Sequence, residues 1–152
     1  MGHIALARGT RILLYGIALF VALMTLGVFV VPELRAFFAE AYYGDRQAQA
    51  WGVTIFLAAM GCLALWILVE LAGVLRTVET DPFVEGNVRA LFRMGLGAQL
   101  AGVAFFIKCF FLFTFMTAVC ALVMVLSGLF ALVLSQVFRR AVEYKQENDL
   151  TI

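Results

Sequence analysis

From Met94 to Phe138 the chain is almost continuously apolar. A helix that crosses a bilayer needs ~20 mainly apolar residues. This stretch is therefore too long for one span and about right for two joined by a tight turn. Splitting it by length puts the turn near Thr114–Ala118, although no glycine or proline marks the place. Two more runs have spanning length. Ile12–Val31 is closed by Pro32, which cannot continue a helix comfortably. Val53–Leu75 contains a single acid, Glu70, near its far end. The spacing predicts spans at 12–31, 53–75, 94–113 and 118–138, a connecting loop over 76–93 and a tail over 139–152. The composition agrees: 64 % of residues are hydrophobic and 14 % charged, against ~45–50 % and about 25 % in soluble domains. A soluble chain of 152 residues has too much surface to hide that much apolar area. The expected fold is all-α: one polytopic membrane domain, a four-transmembrane-helix bundle with a short amphipathic helix and a helical C-terminal tail.

The polar segments set the orientation. Arg8 and Arg11 precede the first run, as in a signal peptide, but that run of 20 residues exceeds the ~7–15 of a signal core. We expect a retained helix. Between the first two runs lie Glu33, Arg35, Glu40, Asp45 and Arg46, with Tyr42, Tyr43 and Trp51 as interfacial aromatics. Between runs two and three, Asp81-Pro82 is a good helix start. After it Phe83, Val84, Val88, Leu91 and Phe92 fall on one side at helical spacing. This predicts a short helix lying on the membrane surface. Four spans put eight basic residues on one side (Arg8, Arg11, Arg76, Arg89, Arg93, Arg139, Arg140, Lys145) and three on the other (Arg35, Arg46, Lys108). The basic side faces the cytoplasm, so both termini are expected inside.

The chain offers little for catalysis. His3 stands alone, and the three cysteines, Cys62, Cys109 and Cys120, show no CxxC spacing and lie in apolar runs. They read as small hydrophobes in helices. No metal cluster, nucleophile–base pair or phosphate-cradling glycine loop is present in the sequence, so neither an enzyme nor a bound cofactor or metal is expected. A net charge of +1 makes no case for direct nucleic-acid binding. Intramembrane ionisable groups are functional candidates by default, and there are two, Glu70 and Lys108. We expect Glu70 to pair with Arg93 or Arg139, and Lys108 to reach outward to the interface. Gly97-x-x-x-Ala101 and Ala98-x-x-x-Gly102 give span three a small-residue face for close helix packing.

Two segments, DPFVEGNVRALFRMG (Asp81–Gly95) and FRRAVEYKQENDLTI (Phe138–Ile152), carry a resemblance. Pro82-Phe83, Asn87 and the ending Glu147-Asn148-Asp149-Leu150-Thr151-Ile152 resemble the bacterial membrane family of unknown function 2975. The resemblance covers the whole chain and implies about four spans in the bacterial inner membrane. It implies no enzyme. Genes of that family often lie beside a small helix-turn-helix regulator, so it also implies such a regulator as a cytoplasmic protein partner. The expected partner surface is Asp81, Pro82, Phe83, Asn87, Arg89 and Arg93 together with the tail from Glu147 to Ile152. In that arrangement the acidic tail tip pairs with Arg89 and Arg93. The other reading is a small transporter or channel subunit, a homo-oligomer in some arrangements. For that reading the spans supply only Glu70, Gln99, Lys108 and Gln136 as polar groups.

Overall fold

The computed structural model describes residues 2–43, 50–77, 81–111 and 113–149. Leu150, Thr151 and Ile152 of the expected partner surface lie outside them, as do Asp45 and Arg46. Five helices occur among the described residues: α1 (Gly2–Val30), α2 (Pro32–Tyr43), α3 (Ala50–Thr77), α4 (Glu85–Phe111) and α5 (Phe115–Asp149). Four of them, α1, α3, α4 and α5, are long and apolar enough to cross a membrane. Leu13, Leu19, Phe20, Leu23 and Leu26 along α1 each expose more than half their surface. In water, apolar exposure on that scale would drive association; in lipid it is the ordinary outside of a span. The protein is an all-α polytopic membrane protein.

The helix bounds differ from the sequence expectation in three places. The α4 helix ends at Phe111 and α5 starts at Phe115, so the last two spans separate a few residues earlier than the expected turn near Thr114–Ala118. The expected short surface helix is not a separate element. Asp81 Oδ1 accepts the Phe83 N–H at 3.1 Å, which closes a local turn, and the helix starts only at Glu85. Nothing between Glu85 and Phe111 breaks it, so the amphipathic turns and the span form one 27-residue rod of about 40 Å. The polar segment after the first span also holds a helix, α2, to which the sequence reading assigns no secondary structure. Pro32 occupies its first position, where a missing N–H is harmless, and Glu33 in the first turn suits the helix dipole.

The chain forms two compact units, Ile12–Leu65 and Met1–Arg11 with Trp66–Ile152. Within Ile12–Leu65, α1 and α3 meet at Gly61, whose missing Cβ leaves room for Thr25. α2 folds back so that the Leu34 side chain lies against Gly27, and Ala39 is completely buried.

In the other unit α4 and α5 form an antiparallel hairpin. Gly95 lies against Leu132 and the Gly128 carbonyl, and Gly102 against Val125. Small residues permit this close backbone approach, the usual basis of helix association in lipid. Gly97, in the expected small-residue face, turns the other way and receives Ile67 of α3. Gln99 adds a polar tie across the hairpin, its Nε2 donating to the Val125 carbonyl at 3.0 Å. Interhelical bonds of this kind average ~0.6 kcal/mol in membranes. Gln99→Leu should therefore cost about that much in a detergent unfolding titration; a loss above ~2 kcal/mol would mean that the amide holds more than this one bond.

The candidate functional site: a docked loop beside the C-terminal helix

At ~1.5 Å per residue α5 measures about 52 Å, well beyond the ~30 Å hydrocarbon core. Its last turns therefore project past the bilayer, and there they meet the α3–α4 connection.

The connection is built around Asn87, which is 2 % exposed. Its Nδ2 donates to the Pro82 carbonyl at 2.8 Å. Its Oδ1 lies 2.7 Å from the Thr77 hydroxyl, whose proton is shared with Val74 O at 2.9 Å. The Asp81 N–H reaches back to Thr77 O at 2.9 Å. One amide side chain thus ties the end of α3, the 81–84 bend and the first turn of α4. A buried amide must find such partners, since an unsatisfied one carries its full desolvation cost.

The fixed bend then presents two side chains to α5. The Phe83 ring packs on Phe138 with centroids 5.5 Å apart. The Asp81 carboxylate accepts a charge-assisted bond from the Lys145 ammonium. Val142, between Phe138 and Lys145 on the same side of α5, is buried. The Lys145 bond holds the Asp81 carboxyl below the usual carboxylate range against a partly opposing desolvation, with a lesser contribution from the Phe83 N–H. A depressed carboxylate contributes stability above its unfolded value of 3.8 and loses it as pH falls through the lower folded value. The docked bend should therefore hold at neutral pH and loosen only in strong acid. Spin-label distances between Val84 and Gln146 check this: Asp81→Asn at neutral pH should reproduce the acid-broadened distribution of the unmodified chain, and identical narrow distributions at pH 7 and pH 2.5 would contradict it.

The expected partner-surface residues separate into distinct groups. Asp81 and Phe83 do come together with the C-terminal helix, while Pro82 lends its carbonyl to Asn87. Asn87 does not belong to an exposed surface; it faces inward and works as a brace. Arg89 pairs with Glu85 one turn earlier on α4, at 3.7 Å with both groups well exposed. Arg93 donates to Glu70 of α3 at 3.2 Å. The expected pairing of the acidic tail tip with these arginines involves Asp149 and the residues after it, whose side chains lie outside the described residues; on the described part of α5 the bend supplies the acid and the helix the base. Glu147 and Asn148 are exposed on α5. Lys108 sits in the last turn of α4, 108 − 93 = 15 residues or about 22 Å from Arg93 along the helix, so it takes no part in the Glu70 pair.

Sequence reasoning did not include Thr77, Phe138 or Lys145 in the site. The signal available was Asp81 itself: an acid opening a loop on the basic side has a base as its natural partner. The other face of the projecting α5 carries Arg140, Glu143, Tyr144 and Glu147, which line a small polar hollow of about 260 Å³. Tyr144 is 69 % exposed there. Among the described residues, no three His, Cys, Asp or Glu side chains gather where they could hold a metal ion.

Comparison with curated proteins finds no match, and comparison with solved structures finds none either. A family model described as "Protein of unknown function (DUF2975)" matches residues 31–152, a stretch that takes in α2 to α5 with the Asn87 brace, the docked bend and the projecting helix, so the chain belongs to that family.

Proposed function

We propose that this is a non-enzymatic integral membrane protein whose projecting α5, braced by the α3–α4 bend, binds a cytoplasmic protein partner. The observation that carries the reading is the docking of Phe83 and Asp81 on Phe138 and Lys145. A helix extension with no such contact would fray. Here one face is pinned and the other, with Arg140, Glu143, Tyr144 and Glu147, is held outward. A rigid stripe of mixed charge with one exposed tyrosine suits protein recognition, where tyrosine and arginine carry much of the binding energy. The basic residues of this end (Arg76, Arg89, Arg93, Arg139, Arg140 and Lys145) support a cytoplasmic location. The family resemblance makes a small helix-turn-helix regulator the partner to test first. The transporter reading draws less support, because Glu70 and Gln99 are engaged by Arg93 and the Val125 carbonyl.

The test is capture of a purified small helix-turn-helix regulator, of the kind the family resemblance implies, on membranes carrying the full-length protein. Tyr144→Ala with Arg140→Glu should reduce capture at least tenfold at equal membrane abundance, and deletion of Asp149–Ile152 should reduce it less. Absence of capture by the unmodified chain, or capture indifferent to the substitutions, would overturn the proposal.

A further inference from the structure

Within the Ile12–Leu65 unit, α1, α2 and α3 line an open-sided apolar hollow of about 420 Å³. That is the size of a small-ligand site, ~300–1,000 Å³. Phe20, Met24 and Val28 line it from α1, Phe38 from α2, and Met60 and Ala64 from α3. Its depth is consistent from both spans. The α1 lining begins about 3 Å and ends about 15 Å below Val30, and the α3 lining lies about 9–20 Å below Trp51. Half of a ~30 Å hydrocarbon core is about 15 Å. The hollow therefore starts near the interface and ends close to the bilayer midplane, about the reach of one lipid chain.

The helix that contributes Phe38 to the lining also carries the matching chemistry. Arg35 lies one turn before Phe38 on α2, and its guanidinium sits 4.8 Å above the Trp51 ring. A cation–π contact of this kind does not use up the hydrogen-bonding capacity of the guanidinium N–H donors. Among the described residues no carboxylate or carbonyl takes them. A planar fork of donors suits a phosphate, and an arginine stacked on a tryptophan at a helix end is where a bilayer places its headgroups. Glu33 and Glu40 are about 160° and 140° round the helix from Arg35, so neither shares its face.

We propose that this hollow is a phospholipid site, with one acyl chain lying against Phe20, Met24, Met60 and Ala64 and the phosphodiester on Arg35. The proposal is independent of the partner-binding reading, which concerns the other unit. The experiment is native mass spectrometry of the full-length protein, delipidated in detergent and titrated with phosphatidylglycerol or with a diacylglycerol of the same chains. The unmodified chain should retain one phosphatidylglycerol and bind the diacylglycerol at least tenfold more weakly. Arg35→Gln should abolish that difference. Ala64→Phe, which fills the hollow, should remove the bound lipid, and Met60→Trp repeats the test should Ala64→Phe fail to fold by circular dichroism. Retention no greater than a random detergent-belt distribution, equal retention of the two lipids, retention unchanged by filling, or a lipid-free dimer cross-linked through the hollow would each overturn the site.

Discussion

Gly61→Ala should destabilise the α1–α3 pair by about 1–3 kcal/mol, the usual cost of overpacking a close contact. A Cβ at this position would stand 2.1 Å from Thr25 Oγ1, 2.9 Å from its Cγ2 and 3.0 Å from its Cβ. Threonine cannot step aside cheaply. Both branches already face Gly61, and Oγ1 donates to the Val21 carbonyl at 2.7 Å. Rotating χ1 would give up that bond and bring no relief from the other branch. The helices must then separate, which loosens packing along both. Thr25→Ala removes both offending atoms and leaves only the 3.0 Å contact. The double substitution should recover most of the loss, with a coupling energy of ~0.5–3 kcal/mol in a double-mutant cycle. Gly16→Ala and Gly73→Ala serve as controls, because a Cβ at either meets nothing within 4 Å; there the better helix propensity of alanine should make the change neutral or mildly stabilising. Unfolding in mixed micelles, followed by the fluorescence of Trp51 and Trp66, reads all of these. Gly61→Ala as harmless as Gly73→Ala would mean that the two helices do not meet at this point in the membrane.

The same contact shows what a sequence can and cannot disclose. Run length alone places the four spans, because the bilayer thickness admits few alternatives and the penalty for an unsatisfied backbone in lipid forces helices. A lone acid one turn inside a span asks for a base, and Arg93 is the one that meets Glu70. Helix phase is different. Whether Gly61, Gly73 or Gly97 carries the close approach depends on how each rod is rotated, and an all-round apolar span leaves no periodic signal for that. The same ambiguity hid the docking of Lys145 on Asp81: the charges were visible, but their pairing depends on which face of α5 turns toward the bend. α2 was missed for another reason. Glu33, Arg35 and Glu40 made the segment read as a polar connection, while Pro32 and Glu33 at its start were the overlooked helix signals.

Asn87→Ala should be the most damaging single change at the projecting end, because it acts on three segments at once. The substitution leaves the Pro82 carbonyl without its donor and removes the acceptor for the Thr77 hydroxyl, in a place that is 2 % exposed. A buried group left unsatisfied costs ~1–3 kcal/mol, and a half-buried one such as the Pro82 carbonyl lies toward the lower end. The hydroxyl retains Val74 O as an acceptor, so most of the loss should come from Pro82. Thr77→Val separates the two contributions: it keeps the bond from Asn87 Nδ2 to Pro82 O and should cost less. Asn87→Asp is the sharper probe. An aspartate of the same shape can still accept from Thr77, but it has no N–H₂ for Pro82 O and faces that carbonyl with an acceptor of its own. It should therefore be at least as harmful as alanine at neutral pH. The consequence should extend beyond stability. With the bend unfastened, Phe83 and Asp81 lose their fixed approach to Phe138 and Lys145, so spin labels at Val84 and Gln146 should show a broadened distance distribution. The α4–α5 hairpin, held by Gly95, Gly102 and Gln99 deeper in the spans, should be unaffected. A cysteine cross-link between positions 103 and 122 can monitor that part separately. If Asn87→Ala leaves the distance between Val84 and Gln146 sharp, Asn87 is not the brace of this end and the docking depends on Phe83 and Asp81 alone.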